Sequence, residues 1–156
     1  MTTTTKRGPA AESPCSIART LEVVGERWTF LILREALSGK TRFADFRQGL
    51  GIAADVLTDR LGTLVDAGVL AKRPYQEPGA RARYSYHLTP AGDALRITLG
   101  ALQQWGDEYR PRAEGPTVVR RTLDGDRPVS VAFVDDTGTV LPVDHVKFVR
   151  TAVYPS

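Results

Sequence analysis

Residues 50–70, LGIAADVLTDRLGTLVDAGVL, set the fold of this chain. From Ala53 onward the apolar residues Val56, Leu57, Leu61, Leu64 and Val65 recur at helical spacing. That is the pattern of an amphipathic helix docked by one side on a core. Gly51 stands just before it, where a sharp turn is needed. Gly68 stands just after it, where a left-handed residue ends a helix. The stretch therefore predicts a helix over about 53–66.

Upstream, Phe43, Phe46 and Leu50 form the inward side of a short third helix, with Thr41 as its cap. Trp28, Leu31, Ile32 and Ala36 mark a second helix over about 28–37 that stops before Gly39. Ser13-Pro14 reads as an N-cap followed by the first residue of a first helix. Ile17, Leu21 and Val24 then give that helix a buried face, and Gly25 closes it. Residues 1–12 are polar and rich in Thr, Pro and Ala, as in a disordered arm.

Downstream the period shortens. Residues 69–75 and 83–88 read as strands joined through Pro78-Gly79, a hairpin whose tip is QEPGARA. Thr89-Pro90 repeats the cap-and-proline start, and the helix it opens runs to about Tyr109, before Pro111. This long helix has two apolar rows: Leu95, Leu99, Leu102 and Tyr109; Ala94, Ile97, Ala101 and Trp105. One domain to pack on needs one stripe, so the second row predicts a second partner. After Gly115-Pro116 the chain becomes rich in Val and Thr. Strands are expected at 118–122, 129–134, 140–143 and 146–153. Residues 117–156 carry five basic and five acidic side chains.

The order is three helices, a sharp turn, a helix, a two-stranded hairpin and a long helix. This predicts an α+β winged helix-turn-helix domain over residues 13–112, with the long helix at its end serving dimerisation. A small β-rich extension follows over 113–156. The fourth helix is narrow enough for the major groove, where base edges differ in donors and acceptors. Its first turn would face the bases while its apolar back docks it on the other helices. The hairpin would lie along the sugar-phosphate backbone or probe the minor groove, where arginines help.

Composition is compatible with this and excludes other classes. Hydrophobic residues are 42% and charged residues 25% of 156, ordinary for a globular protein. A chain of this length buries a core without metals or disulfides. The single cysteine, Cys15, rules out an intramolecular disulfide and fits a reducing cytosol. The first residues lack the apolar stretch of a signal peptide, and no apolar run of about 18 residues predicts a membrane span. The formal charge of +3 is only mildly basic, but Lys72, Arg73, Arg81 and Arg83 cluster against Glu77 alone. No metal, cofactor or catalytic machinery is expected. His87, His145 and Cys15 have no ligand spacing, and Ser85 and His87 on one face of a wing strand have no third partner.

Several stretches together resemble the HxlR family of winged-helix regulators, which are MarR-like. They are Cys15 with the helix after it, GERWTFLILREALSGKTRFADF (25–46), LGIAADVLTDRLGTLVDAGVLAKRPY (50–75), YHLTPAGDAL (86–95) and Trp105-Gly106. The resemblance implies a cytoplasmic homodimer that represses or activates transcription, with the first and last helices joining the subunits. Some relatives sense electrophiles or oxidants through a cysteine near the start of the first helix; others answer to small molecules. The chain departs from the family where the reading helix begins. Ala53, Ala54 and Asp55 stand where Ser and polar residues are usual, a loss of capping worth on the order of 1 kcal/mol. The extension also lacks the cysteine pairs of some relatives.

The candidate DNA contacts are therefore Thr41, Arg42, Ala54, Asp55, Thr58, Arg60, Arg73, Arg81 and Arg83. Thr41 and Arg42 cap a helix, contact a phosphate, or both. Arg60 reaches a phosphate or pairs with Asp59 or Asp66. Arg73 is a DNA contact or a structural ion-pair residue. Asp55 suits the helix dipole but repels phosphate, so specificity falls to Thr58, to Ala54 against a thymine methyl, and to DNA shape. Cys15, as second residue of the first helix with Arg19 one turn on, is the candidate redox sensor, the alternative being an inert, half-buried thiol at a helix start. Leu21, Trp28, Trp105 and Tyr109 are the candidate lining of an effector pocket; helical aromatics also serve as plain core. The expected partners are double-stranded operator DNA, a second copy of the chain and an oxidant or small-molecule effector. The alternative, supported by the weak polarity of residues 53–55, is a ligand-binding or protein-interaction module whose winged helix no longer binds DNA.

Overall fold

The computed structural model describes residues 13–153. Two compact units are present: residues up to Ala94 together with Ala152 and Val153, and Leu95–Thr151. The expected arm, residues 1–12, lies outside the described residues.

The first unit contains α1 (Ser16–Val24), α2 (Arg27–Leu37), α3 (Phe43–Leu50), α4 (Ala54–Asp66), β1 (Leu70–Tyr75), β2 (Arg83–Leu88) and α5 (Pro90–Ala94). Its core is built from Val24, Ile32, Leu33, Phe46, Ile52, Leu57, Leu61, Leu64 and Leu70, each at most 3% exposed. These are inward residues of the amphipathic helices, with Ile52 in the turn and Leu70 at the start of β1. The α4 boundary falls within a residue of expectation. Gly51 enters it with φ +61°, and Gly68 leaves it with φ +71°. At that exit the Val69 N–H reaches the Leu64 carbonyl at 2.9 Å and the Gly68 N–H the Val65 carbonyl at 3.0 Å. This is a Schellman stop, which satisfies two carbonyls that the helix itself leaves open.

Four sequence expectations are corrected in this unit. First, α1 begins at Ser16, so Cys15 is its N-cap and not its second residue. The Ser13 hydroxyl does accept from the Cys15 N–H at 3.2 Å, but it closes a turn ahead of the helix. Second, Ile17 and Leu21 are 65% and 53% exposed, and only Val24 of the expected face is buried. Third, on α2 the buried residues are Thr29, Ile32, Leu33, Glu35 and Ala36, while Trp28 and Leu31 are half-buried. Fourth, Thr41 does not cap α3. Arg42 holds the N-cap position, and the Thr41 carbonyl accepts from the Tyr86 N–H at 2.7 Å. A bridge between Arg42 and Ser85 continues this contact, so the chain before α3 runs along β2 as a short third strand. The β-branched Thr41 suits that extended path.

Glu35 is the one buried carboxylate among the described residues of this unit. It accepts from Arg34 at 2.7 and 3.0 Å and is bonded by Lys40. The Lys40 and Arg34 bonds outweigh burial and hold its carboxyl below the ordinary 4.5. A carboxyl depressed in the folded state stabilises the protein above its unfolded pKa and loses that contribution as pH falls through the folded value. Relative to Glu35→Gln, the wild type should keep a constant melting-temperature advantage above about pH 5, with the gap closing on acidification below it. A gap independent of pH in thermal melts would remove the ion triad from the stability of this unit.

The wing pairs β1 and β2 antiparallel, from Leu70 opposite Leu88 to Tyr75 opposite Arg83. Thr89 then caps α5: its hydroxyl accepts from the Gly92 N–H at 3.1 Å and donates to the Gly68 carbonyl at 2.6 Å. Gly92 lies so close to the Val69 carbonyl that any Cβ there would clash with backbone. The start of the wing and the start of α5 are locked together by that contact.

The expected single helix of 90–109 is interrupted at Leu95, whose ψ of −7° departs from helical values; nothing in the structure explains the break. In the second unit α6 (Arg96–Tyr109) packs with the extension that follows it. The Gln104 side chain pairs with both backbone groups of Val131, at 2.9 and 3.0 Å, as a strand would. Gly100 leaves room beside it for the Val131 side chain. Of the four expected strands only β3 (Phe133–Val134) and β4 (Val140–Leu141) form, antiparallel to each other. Residues 118–122 contribute a single bridge, Arg121 to Pro128, and Val143–His145 form one 3₁₀ turn. Valine content alone does not make a strand where partners are short and exposed. Val118, Leu123, Phe148 and Val149 are all exposed.

Candidate nucleic-acid interface

The helix-turn-helix consists of α3, the Gly51–Ala53 turn and α4. Phe46 on α3 and Leu57, Leu61 and Leu64 on α4 are fully buried, so both helices are fixed by their backs. What α4 leaves outside is the row Asp55, Thr58, Asp59 and Gly62, all exposed. Ala54 is half-buried beside them. Ala53 holds the N-cap with no side-chain hydrogen bond, as its methyl group dictates. The Thr58 hydroxyl donates back to the Ala54 carbonyl at 2.7 Å. Arg60 is the only base on α4. Its guanidinium lies 3.4 Å from Asp59 and 3.9 Å from Glu26, and its Nε is buried without a partner. The carboxylate pairing expected of Arg60 is present, to Asp59 and not to Asp66.

Positive charge lies elsewhere. Arg73 on β1 and Arg81 and Arg83 at the wing are exposed, and none is in an ion pair among the described residues. Arg42 is also outside, but it pairs with Glu77 at 2.6 Å and lies over the Tyr75 ring at 4.9 Å, which ties the start of α3 to the wing. Such an exposed pair contributes roughly 0–1 kcal/mol. Lys72 sits 4.0 Å over the Tyr84 ring. Ser85 shares a 2.9 Å hydrogen bond with His87 and reaches the Arg73 carbonyl at 3.3 Å, so this pair pins the hairpin.

Two open grooves meet at Phe43 and Ala44. One, of about 570 Å³, runs past Arg47, Gln48, Gly51 and Ile52. The other, of about 490 Å³, passes Tyr75, Arg81, Arg83, Tyr84 and Tyr86 at the wing. Burial, with the nearby Tyr84 second, raises the Tyr86 phenol above 10.0. No acidic side chain lines either groove. Sequence reasoning missed Arg47 and Gln48. Their signal was available: both sit on the polar side of the helix that precedes the turn, next to the inward Phe46.

The remaining candidates fall outside these grooves. Cys15 is half-buried at the start of α1. The Arg19 guanidinium bonds to the Ser13 carbonyl and the Ser16 hydroxyl. Leu21 is exposed on α1, and Trp28 is half-buried with Arg27 over its ring at 5.0 Å. In the other unit Trp105 and Tyr109 pack ring to ring at 5.6 Å on α6, each 55% exposed. No helix of the described residues is long and apolar enough to cross a membrane.

Comparison with known proteins agrees with this geometry. A Mycobacterium tuberculosis (strain H37Rv) protein, Rv3095, described as an uncharacterised HTH-type transcriptional regulator, is 47% identical over 106 residues. The match spans 68% of this chain and 66% of that protein, just under two thirds of its length. The crystal structure of PA1607, a candidate transcription factor, superposes with a TM-score of 0.78 at 32% identity, covering 90% of this chain and 98% of that one. The redox regulator HypR in its reduced form superposes with a TM-score of 0.56 at 27% identity, covering 62% and 94%. The model of the HxlR-like helix-turn-helix family matches residues 23–114, more than half of the chain, which includes the whole of α2 to α6 and the wing. The chain belongs to the HxlR-like helix-turn-helix family.

Proposed function

We propose that this protein is a transcriptional regulator that binds operator DNA as a homodimer. The observation that carries the reading is that α4 is docked by its buried side and exposed on the other, while the wing arginines Arg73, Arg81 and Arg83 have no ion-pair partner among the described residues. In this reading α4 enters the major groove, Thr41, Arg42, Arg73, Arg81 and Arg83 serve the backbone, and Ala54, Asp55 and Thr58 meet bases. Arg60 positions α4 through Glu26 and Asp59. The relatives named as transcriptional regulators support it. Apolar side chains left uncovered on α1 (Ile17, Leu21) and on α6 (Ile97, Leu102, Trp105, Tyr109) support a second copy of the chain. A two-fold dimer demands a pseudo-palindromic site with half-sites about 10 bp apart. A gel-shift assay on DNA upstream of the protein's own gene, with sedimentation of the free protein, tests both parts. A micromolar monomer removes the dimer. Failure to shift any duplex removes the function and leaves a ligand-binding or protein-interaction module.

In this reading Cys15 is the regulatory residue. HypR, a structural neighbour, is a redox regulator. Cys15 is the only cysteine, so oxidation joins two chains or adds a small thiol. Diamide is expected to alter operator binding by the wild type and leave Cys15→Ser unaffected. Equal responses in the gel shift would make Cys15 an inert thiol.

A further inference from the structure

The exposed side of α4 has an unusual chemical uniformity. Asp55 and Asp59 carry acceptors only. Thr58, between them, has already given its one proton to the Ala54 carbonyl, so it presents lone pairs and a methyl group. Arg60, the single donor-rich side chain of the helix, is turned onto Glu26 and Asp59 and is only 26% exposed. Gly62 adds no side chain. The cations that would hold a polyanion lie on other elements, with Arg47 in the groove along α3 and Arg81 and Arg83 at the wing. Attraction to phosphate and contact with bases are thus divided between different elements.

We infer that α4 selects cytosine, with Asp55 and Asp59 as the specificity-determining residues and Thr58 as an auxiliary acceptor. The inference rests on the DNA-binding reading above. In the major groove guanine offers two acceptors, N7 and O6, and thymine offers the O4 acceptor beside its methyl group. A carboxylate is repelled by both acceptor sets. Adenine has a donor at N6, but its N7 lone pair lies next to it and opposes the second carboxylate oxygen. Cytosine alone presents an amino donor on a base with no major-groove acceptor of its own, so its 4-amino group is flanked by an acceptor on one side only, the O6 of the paired guanine. Ala54 and the Thr58 methyl group leave an adjacent thymine acceptable through its methyl. The expected half-site therefore contains cytosine on one strand where the first two turns of α4 lie.

The test is selection of duplexes from a randomised pool by the full-length protein, then titration of the selected duplex and of an unrelated duplex. Wild type is expected to enrich cytosine in each half-site, and replacing that C·G pair should weaken binding roughly tenfold. Asp55→Asn and Asp59→Asn each keep an exposed side chain of the same size. They should lose most of that preference, so that the ratio of affinities for the selected and the unrelated duplex falls toward one. Retained binding with no cytosine in the enriched motif, or Asn variants with unchanged preference, overturns this inference alone. A wild-type protein that retains no duplex from the pool overturns the DNA-binding reading and this inference with it.

Discussion

Replacing Arg81 and Arg83 together by alanine should weaken binding to operator and unrelated duplex alike. Each arginine that touches a phosphate releases about one counterion, so the slope of log affinity against log salt should fall by about two units per protomer. At ~0.15 M salt that corresponds to a loss of roughly 30-fold or more. The expectation follows from the contrast between these residues and the arginines of the unit that carboxylates already hold. Arg34 is spent on Glu35, Arg42 on Glu77 and Arg60 on Asp59 and Glu26, whereas Arg81 and Arg83 have no ion-pair partner among the described residues. Both are exposed at the wing, so thermal stability should be unchanged. A salt slope equal to that of wild type would place the wing away from the DNA. A loss confined to the operator would make these residues readers of bases.

Phe46→Ala should have the largest effect on stability. Phe46 is 0% exposed on α3, in a unit whose core is small, and truncating a buried phenylalanine costs roughly 3–5 kcal/mol. Total stabilities of about 5–15 kcal/mol leave little margin after such a loss. The melting temperature should drop by at least about 10 °C. The effect should reach function too, because Phe46 holds the helix before the Gly51 turn, and the direction of α4 follows from that turn. Duplex binding is expected to fall in parallel at temperatures where the variant is still folded. A drop of less than about 1 kcal/mol in denaturant titration would mean that α3 is not held by this ring.

Both expectations start from residues visible in the sequence, yet only one was visible with its role. Phe46 was legible because inward positions on an amphipathic helix repeat with the helical period. Arg81 and Arg83 were legible as a basic cluster, but so were Arg42, Arg60 and Arg73. A count of charges does not say which guanidinium is already satisfied.

What the sequence determined by itself was local. The α4 helix and its two glycine boundaries, the wing strands, the Thr89-Pro90 cap and the uncapped Ala53 all follow from side-chain shape, backbone preference and spacing within a few residues. Those terms act over a turn or a strand and survive in any tertiary context that buries the apolar side. The tertiary structure decided whatever depends on residues far apart in the chain. It drew Arg42 onto Ser85 of β2, 43 residues on, and the Thr41 carbonyl onto the Tyr86 N–H, 45 residues on. It turned Arg60 toward Glu26, and it left Ile17 and Leu21 uncovered. It also withheld strands from residues 118–122 and 146–153, where Val-rich segments found only short partners. The reason is common to all of these: hydrogen-bond, charge and burial partners are assigned by packing, and the periodicity of one segment carries no record of which distant group will meet it.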